Sequence, residues 1–315
     1  MDYFEVSQCI KYNCATRKLG LNAGETMSNI IELSNKLLTA ALLRASGLLH
    51  GPNPYLEYPI KPKRRYDESN PHWKLLDIID RNRNLYKQRL ESFLQFKDSL
   101  REVAIRNPAQ SQDPCWHNLM IPELDSVALY SFLCLNNPRK YYEIGSGSST
   151  KFARRAITEY GLQTKIVSID PEPRAEIDPI CDRVIRERLE DLDINIFDDL
   201  QTDDVLFVDG SHRSCMNSDV TVLFLDVIPR LASGVLVEIH DIFLPYDYLS
   251  EWKERYYSEQ YLLATYILAE GNKLDIVLPN WFVSVDAELS AVLAPLWNLL
   301  GMDKGYGSSF WLRTR

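Results

Sequence analysis

The stretch from Glu143 to Gly147, Glu-Ile-Gly-Ser-Gly, places an acid before two closely spaced glycines at the end of an apolar run. Glycine adopts positive φ and has no Cβ, so a ligand can approach the backbone there. A helix is predicted to begin at Ser149-Thr150, and its first N–H groups would attract negative charge. The stretch predicts a ligand cradle; the alternative is a tight strand-to-helix turn without a ligand.

Two carboxylates beside this loop favour a nucleoside ligand. Asp170 ends the next predicted strand, 25 positions after Gly145. This is close to the spacing of roughly 20 residues at which an acid accepts hydrogen bonds from a ribose diol. Glu143 lies inside a strand end, where a buried carboxylate needs a donor or a cation. It would suit an ammonium group of the ligand.

Two of the five histidines follow predicted strands together with aspartates. Asp209 and His212 come after one strand, and His240-Asp241 ends another. A histidine takes a proton near neutral pH, and carboxylates hold divalent cations that acidify a hydroxyl. For each histidine alone, a hydrogen-bonded structural role is the alternative. Jointly they predict a reaction centre, with His212 as the first candidate for the base and His240 as the second.

Elements of secondary structure have to bring these residues to one edge. Seven short apolar or β-branched runs are predicted as strands, with helical patterns between most of them. They cover residues 140–144, 166–170, 184–186, 205–209, 235–240, 274–278 and 309–313. Strands alternating with helices predict parallel pairing and a doubly wound α/β sandwich, in which ligands bind beyond the carboxyl ends of the strands.

The chain before Pro108 has a helical pattern instead. Apolar residues recur at helical spacing over residues 26–50 and again over residues 73–105. We therefore predict residues 1–108 as a helical extension, which either lids the site or forms a dimer contact, and residues 109–315 as the α/β domain.

Composition narrows the class of partner. The chain has 35 Lys and Arg against 44 Asp and Glu, a net charge of -9, which repels phosphate backbones and anionic lipids. No apolar stretch approaches the roughly 20 residues that cross a bilayer, and no secretory signal pattern opens the chain. The six cysteines lack paired metal-ligand spacing and are typical of reduced thiols. We predict a cytoplasmic protein with a small-molecule partner, no nucleic acid and no membrane contact; a homo-oligomer is left open.

These motifs resemble those of the class I S-adenosylmethionine-dependent methyltransferases. The first family motif, acid-any-Gly-any-Gly, is matched by Glu143, Gly145 and Gly147, and the acid ending strand two by Asp170. The resemblance covers about residues 121–315. It implies a Rossmann-like sheet of seven strands whose last strand is antiparallel. Ser149 stands where a third glycine is frequent, which counts against a nicotinamide dinucleotide because its pyrophosphate asks for that glycine.

The resemblance implies S-adenosyl-L-methionine as the cofactor. Glu143 would lie near the methionine amino group, Asp170 would bind the ribose hydroxyls, and residues after strand three would contact the adenine. The implied cofactor-binding set is Glu143, Gly145, Ser146, Gly147, Ser148, Asp170, Leu189, Glu190 and Asp209.

The resemblance also allows a metal ion as a second cofactor. O-methyltransferases of macrolide sugars and cephalosporin hydroxylase-like proteins hold magnesium with an aspartate after strand four and a Glu-Asp pair after strand five. Here Asp209 and then His240-Asp241 are similar in layout, but imidazole suits transition metals better than magnesium. The catalytic candidates are His212, His240 and Asp241, and the metal-ligand candidates are Asp209, His240 and Asp241.

We therefore predict methyl transfer to a hydroxyl, or with less support an amine, of a small metabolite. The aromatic residues 245–261, with Arg213 and Asn217, are predicted either to line the acceptor site or to pack as an amphipathic helix. Two alternatives stay open: an NAD-type oxidoreductase with His212 as proton donor, and a non-catalytic cofactor-binding subunit.

Overall fold

A computed structural model of the protein describes residues 61–108, 111–118 and 120–315. Residues from Pro62 to Arg315 form one compact unit, which therefore includes the helices before residue 108. The helix predicted over residues 26–50 lies outside the described residues. A lid or dimer role for residues 1–108 stays a prediction. Within the described chain, no helix has the length and apolar character needed to cross a membrane.

The strands of the described chain form one seven-stranded sheet. They are β1 Lys140–Ile144, β2 Lys165–Ile169, β3 Arg183–Ile185, β4 Val205–Val208, β5 Leu236–Ile239, β6 Leu274–Pro279 and β7 Phe310–Thr314. Their order is β3-β2-β1-β4-β5-β7-β6, and β7 is antiparallel to both of its neighbours. The predicted doubly wound sheet with an antiparallel last strand is confirmed.

Helices cover both faces of the sheet, as the crossovers between parallel strands require. They are α1 Trp73–Asp80, α2 Arg83–Phe93, α3 Lys97–Arg101, α4 Glu123–Asn136, α5 Ser148–Tyr160, α6 Asp219–Val222, α7 Ile228–Arg230, α8 Glu259–Leu268, α9 Asn280–Val285, α10 Ala287–Ala291 and α11 Ala294–Leu300. Short 3₁₀ segments occur at Leu94–Phe96, Asp178–Ile180, Leu189–Asp191, Ile194–Asp199 and Ser250–Arg255, and a π segment, Leu223–Val227, joins α6 to α7.

The single helix predicted over residues 73–105 is in fact broken. Asn82 leaves the helical region, with φ -98° and ψ 14°, and asparagine is a weak helix former. The apolar face was nevertheless placed correctly, because Ile79, Tyr86 and Leu90 are fully buried. Arg83 makes two hydrogen bonds of 2.9 and 2.7 Å to the carboxylate of Asp286 and so ties α2 to the turn before α10.

Helix α4 links these helices to the sheet. The ring of Phe132 lies 5.2 Å from that of Phe93 in α2 and 4.7 Å from that of Trp311 in β7. Pro122 precedes the helix, and Asn137 ends it in the left-handed conformation, with φ 43°. Helices α2 and α4 therefore form part of one core with the sheet.

Strand register determines which acidic residues face the same way. Glu143 of β1, Phe207 of β4, Glu238 of β5 and Trp311 of β7 are successive partners across the sheet. The strand order reverses between β1 and β4, which is where ligands bind in such sheets. The residues that follow β1, β2, β4 and β5 therefore share one edge.

Candidate active site

The glycine loop follows β1 and packs against the residue that follows β4. Gly145 has φ 79°, and a Cβ there would lie 1.9 Å from the backbone oxygen of Asp209. Its N–H donates to the Ile169 carbonyl at 3.0 Å. Gly147 differs, because a Cβ there would meet no atom of the described residues within 4 Å. Gly145 thus allows close packing within the protein, whereas Gly147 leaves its backbone open to a ligand.

The buried side chain of Glu143 is connected to this loop by hydrogen bonds. Its side chain has no exposed surface. Its carboxylate accepts hydrogen bonds from the Tyr141 hydroxyl, at 2.8 Å, and from the Thr150 hydroxyl, which in turn accepts from the Gly147 N–H at 3.0 Å. Burial raises the pKa of Glu143 to about 7, although the hydroxyl donors act in the opposite direction.

Asp170 lies on the other side of the loop and is partly exposed. One carboxylate oxygen accepts from the Ser146 N–H and the other from the Glu172 N–H, both at 2.8 Å. A carboxylate oxygen has two acceptor sites, so each oxygen keeps one for a ligand. The hydroxyl groups of Ser146 and Ser168 are 2.8 Å apart, and their hydrogen bond connects the loop to β2.

The remaining cofactor-binding candidates lie on short segments near the same edge. Ser148 begins α5. Leu189 and Glu190 form the 3₁₀ turn after β3, where Leu189 is buried and the Glu190 side chain is 17% exposed near Arg188. The binding of a cofactor by these residues stays a prediction.

Asp209, His240 and Asp241 come together at the ends of β4 and β5. One ligand atom from each lies within 4.8 Å of the others. His240 Nδ1 is 3.4 Å from Asp241 Oδ1 and 3.8 Å from Asp209 Oδ1. The imidazole is buried, and neither ring nitrogen has an aligned hydrogen bond. Burial acts to lower the pKa of His240, but the charge of Asp209 and the other nearby carboxylates raise it well above its usual range.

His212 is held between two carboxylates. Its Nδ1 is 2.9 Å from Glu259 Oε2, and its Nε2 is 3.0 Å from Asp209 Oδ1. Burial acts to lower the pKa of His212, but its hydrogen bonds with Asp209 and Glu259 raise it well above the usual range. Each ring nitrogen of His212 therefore has a carboxylate oxygen at hydrogen-bond distance.

The backbone at the cluster is strained. His212 and Asp241 both have φ 58°, a left-handed conformation that residues with a Cβ seldom adopt. Such strain persists where the surroundings enforce it and is concentrated at functional sites.

Three buried acids near the cluster were missed from the sequence. Glu259 begins α8 and binds His212, Asp125 lies in the first turn of α4, and Glu238 lies within β5. Burial raises the pKa of Glu238 well above its usual range. Acidic residues are common in the first turn of a helix, so nothing in the sequence marked Asp125 and Glu259 as site residues. Glu238 is an acid inside the apolar run of β5, and that unusual position could have marked it.

In the aromatic stretch 245–261, residues 245–258 form a loop with a 3₁₀ segment and residues 259–261 begin α8, so the stretch as a whole is not the amphipathic helix that was considered. The ring of Tyr257 lies 4.6 Å from that of His212, and the Arg255 guanidinium lies 3.9 Å from the centre of the Trp252 ring. Arg213 Nε donates to the Arg255 carbonyl at 2.9 Å. Asn217 is exposed, with φ 52°. Part of the predicted acceptor wall therefore lies against the cluster.

The start of the compact unit is fixed to the same loop. Asp247 accepts hydrogen bonds from the N–H groups of Arg65, at 2.7 Å, and Tyr66, at 3.0 Å. Its own N–H donates to the Tyr66 carbonyl at 3.0 Å. Residues 65 and 66 therefore run beside the aromatic stretch.

Comparison with known proteins agrees with this geometry. Residues 142–242, which contain the glycine loop and the acid-imidazole cluster, match the family model of a methyltransferase domain. No curated protein matches the chain significantly. The sheet order, its antiparallel last strand and the methyltransferase domain matched over residues 142–242 support a class I S-adenosylmethionine-dependent methyltransferase.

Solved structures with some similarity include three methyltransferases. An O-methyltransferase from Bacillus cereus in complex with SAH is 14% identical, with 72% of this chain and 91% of that chain covered and a TM-score of 0.39. The SAH-bound Podospora anserina methyltransferase PaMTH1 is 14% identical, with 81% and 100% covered and a TM-score of 0.38. The O-methyltransferase TomG from Streptomyces achromogenes, in complex with SAM, is 15% identical, with 63% and 82% covered and a TM-score of 0.33. At these scores the similarities add nothing to the assignment.

Proposed function

We propose that the protein transfers the methyl group of S-adenosylmethionine to a hydroxyl of a small metabolite, with an amine as the less supported acceptor. One observation carries the proposal. The glycine loop after β1 is adjacent in the sheet to the end of β4, where Asp209, His240 and Asp241 meet. Displacement at a methyl group needs donor and acceptor held in line at close range, and adjacent strand ends support that arrangement.

The cofactor is proposed to lie along the loop. The open space before Gly147 suits close approach of the methionine portion. The two spare acceptor sites of Asp170 match the two hydroxyls of a ribose. Leu189 and Glu190, after β3, are proposed to contact the adenine.

Glu143 is proposed to act mainly through the loop. The sequence predicted that it lies near the methionine amino group. Its carboxylate is completely buried and already bound by the Tyr141 and Thr150 hydroxyls. We infer that it orients Thr150, whose hydroxyl holds the Gly147 N–H.

His212 is proposed to orient Asp209 and not to serve as the base. Both of its nitrogens face carboxylates at hydrogen-bond distance, so neither is left open towards an acceptor. This changes the role predicted for His212 from the sequence. Neither His240 nitrogen has an aligned hydrogen bond within the described residues, and Nδ1 is the one that faces Asp209 and Asp241.

Asp209, His240 and Asp241 are proposed to hold a divalent metal ion. Four carboxylates, those of Asp125, Asp209, Asp241 and Glu259, lie within 3.5 Å of the two imidazoles in a largely buried cluster. Excess negative charge in a buried site needs a cation. A divalent ion there would acidify an acceptor hydroxyl. The alternative is that His240 takes the proton itself in a metal-free enzyme.

The acceptor is proposed to bind between the cluster and the aromatic stretch 245–261. Tyr257 and Trp252 offer flat apolar surfaces, and such surfaces with a few polar groups suit small molecules. The net charge of -9 disfavours nucleic acid as the acceptor. Action in the cytoplasm, and a lid or homo-oligomer contact formed by residues 1–108, are proposed on the sequence alone.

Calorimetric titration with S-adenosylhomocysteine tests the cofactor half of the proposal. We expect saturable binding of S-adenosylhomocysteine and no heat with NAD. Gly147→Ala should weaken the affinity at least tenfold without lowering the melting temperature, because its new methyl group meets only the space assigned to the cofactor. Gln163→Ala, an exposed change beyond the other end of α5, is the control. Absence of heat with S-adenosylhomocysteine would overturn the proposal.

Transfer of a radiolabelled methyl group to pooled hydroxyl-bearing metabolites tests the other half. Labelled products should be ethers that resist acid and base, and dialysis against EDTA should abolish labelling until a divalent metal is restored. Full activity after EDTA would remove the metal and leave His240 as the proton acceptor. Binding of the cofactor without any transfer would instead favour the non-catalytic alternative.

A further inference from the structure

Asp125 is a buried carboxylate held firmly in place. It has no exposed surface. Oδ1 accepts from Asn280 Nδ2 at 2.7 Å and from the Ser309 N–H at 2.9 Å, and Oδ2 accepts from the Ser308 N–H at 2.7 Å. A Cβ at Gly307 would lie only 2.4 Å from Oδ1. The chain before β7 therefore wraps closely around this carboxylate.

The same carboxylate lies behind the imidazole of His240. Asp125 Oδ2 is 3.3 Å from His240 Nε2. On the opposite edge of the ring, Nδ1 faces the oxygens of Asp241 and Asp209. The 3.3 Å contact is not aligned as a hydrogen bond, but contacts of this kind commonly tighten when a site is filled.

The two edges of this imidazole therefore differ in chemistry. An acceptor at Nε2 keeps the proton on Nε2 and leaves the lone pair of a neutral ring on Nδ1, among the oxygens of the cluster. A carboxylate behind a histidine is the usual way in which proteins fix the tautomer and orientation of a metal-bound imidazole.

We propose that Asp125 is a positioning residue that presents His240 Nδ1 as the nitrogen ligand of a divalent transition-metal ion bound with Asp209 and Asp241. The inference rests on the metal site of the proposed function and adds two statements to it: the metal-binding atom of the ring, and the class of ion. A set of one imidazole and two carboxylates favours manganese, iron, cobalt or zinc over magnesium, which prefers oxygen alone.

A purely structural Asp125 is the competing explanation, because its three other donors would suffice to fix α4 to the chain before β7. Asp204 offers a matched control. It is 1% exposed and accepts from three backbone N–H groups, those of Arg139, Lys140 and Gln201. It precedes β4, at the opposite edge of the sheet from Asp209, and no histidine is among these partners.

The test uses the full-length protein stripped with EDTA and titrated calorimetrically with manganese(II), cobalt(II) or magnesium(II) chloride. The wild type should bind manganese and cobalt at least tenfold more tightly than magnesium. Asp125→Asn should weaken manganese binding about 10- to 100-fold and change S-adenosylhomocysteine affinity less than threefold. Asp204→Asn should lower the melting temperature but leave manganese affinity within threefold.

Equal loss of manganese affinity in both variants would overturn the proposal, as would tighter binding of magnesium. If Asp125→Asn does not fold, ¹⁵N-histidine NMR of the zinc-loaded wild type provides the test. We expect the proton on Nε2 and the metal on Nδ1 of His240. The reverse arrangement would refute the inference. Retained S-adenosylhomocysteine binding without any metal binding would refute this inference and the metal site on which it rests, but not the proposed methyl transfer. Loss of both would refute the proposed function as well.

Discussion

Replacing Gly145 by alanine should destabilise the protein through two separable effects. The residue has φ 79°, and a left-handed conformation costs an L-residue about 1–2 kcal/mol. The added Cβ would also lie 1.9 Å from the Asp209 carbonyl oxygen, although real Cβ contacts are essentially never under 3.0 Å. Relieving such overpacking costs about 1–3 kcal/mol. We expect the free energy of unfolding to fall by about 2–5 kcal/mol in total.

Gly161→Ala separates the two effects. Gly161 ends α5 with φ 61°, and a Cβ there would meet nothing within 4 Å, so it should show the conformational cost alone. Urea unfolding of both variants, followed by circular dichroism, gives the difference, which we expect to be about 1–3 kcal/mol. Equal losses in the two variants would refute the argument that Gly145 is required by its contact with the residue after β4.

Three further outcomes follow from buried or paired groups. Burial raises the pKa of Glu143 in the folded protein to about 7 from 4.5, so between these two pH values the folded protein retains a proton that the unfolded chain releases. The contribution of Glu143 to the free energy of unfolding therefore falls as the pH rises through this range, by about 3 kcal/mol at most. Glu143→Gln should therefore flatten the fall in urea midpoint between pH 5 and 8, and an unchanged slope would contradict the assignment. Arg83→Met should lower the free energy of unfolding by about 1–2 kcal/mol, because it removes a bidentate, partly buried ion pair; a change within error would show that the pair contributes nothing. Burial raises the pKa of Cys134 and Cys181 to about 12. Iodoacetamide at pH 7.5, followed by mass spectrometry, should therefore label exposed Cys215 before either of these two, and the reverse order would be evidence against their burial.

The sheet could be predicted because each strand is marked by a short stretch of the sequence. Apolar and β-branched runs marked the seven strands, and the glycine motif marked the turn after β1. The structure ends β2, β4 and β5 one residue before the predicted ends, so Asp170, Asp209 and His240 follow their strands. The meeting of Asp209 with His240 was also predictable, since it depends only on β4 and β5 being neighbours.

The chemistry of the histidines was not predictable in the same way. His212 stands at a strand end like a candidate base, but Glu259, 47 residues later, occupies its Nδ1. Asp125 reaches His240 from a helix that precedes the whole sheet. Side-chain partners so distant along the chain depend on how helices pack on the sheet, which hydrophobic periodicity does not specify.

Asp209 joins the two halves of the site in a single residue. Its backbone carbonyl lies directly against the glycine turn, while its side chain reaches the buried imidazoles. If the proposed cofactor shifts that turn on binding, the shift would therefore reach a carboxylate of the proposed metal site. Linkage requires the effect to be reciprocal: if the demethylated cofactor strengthens manganese binding by some factor, manganese strengthens cofactor binding by the same factor.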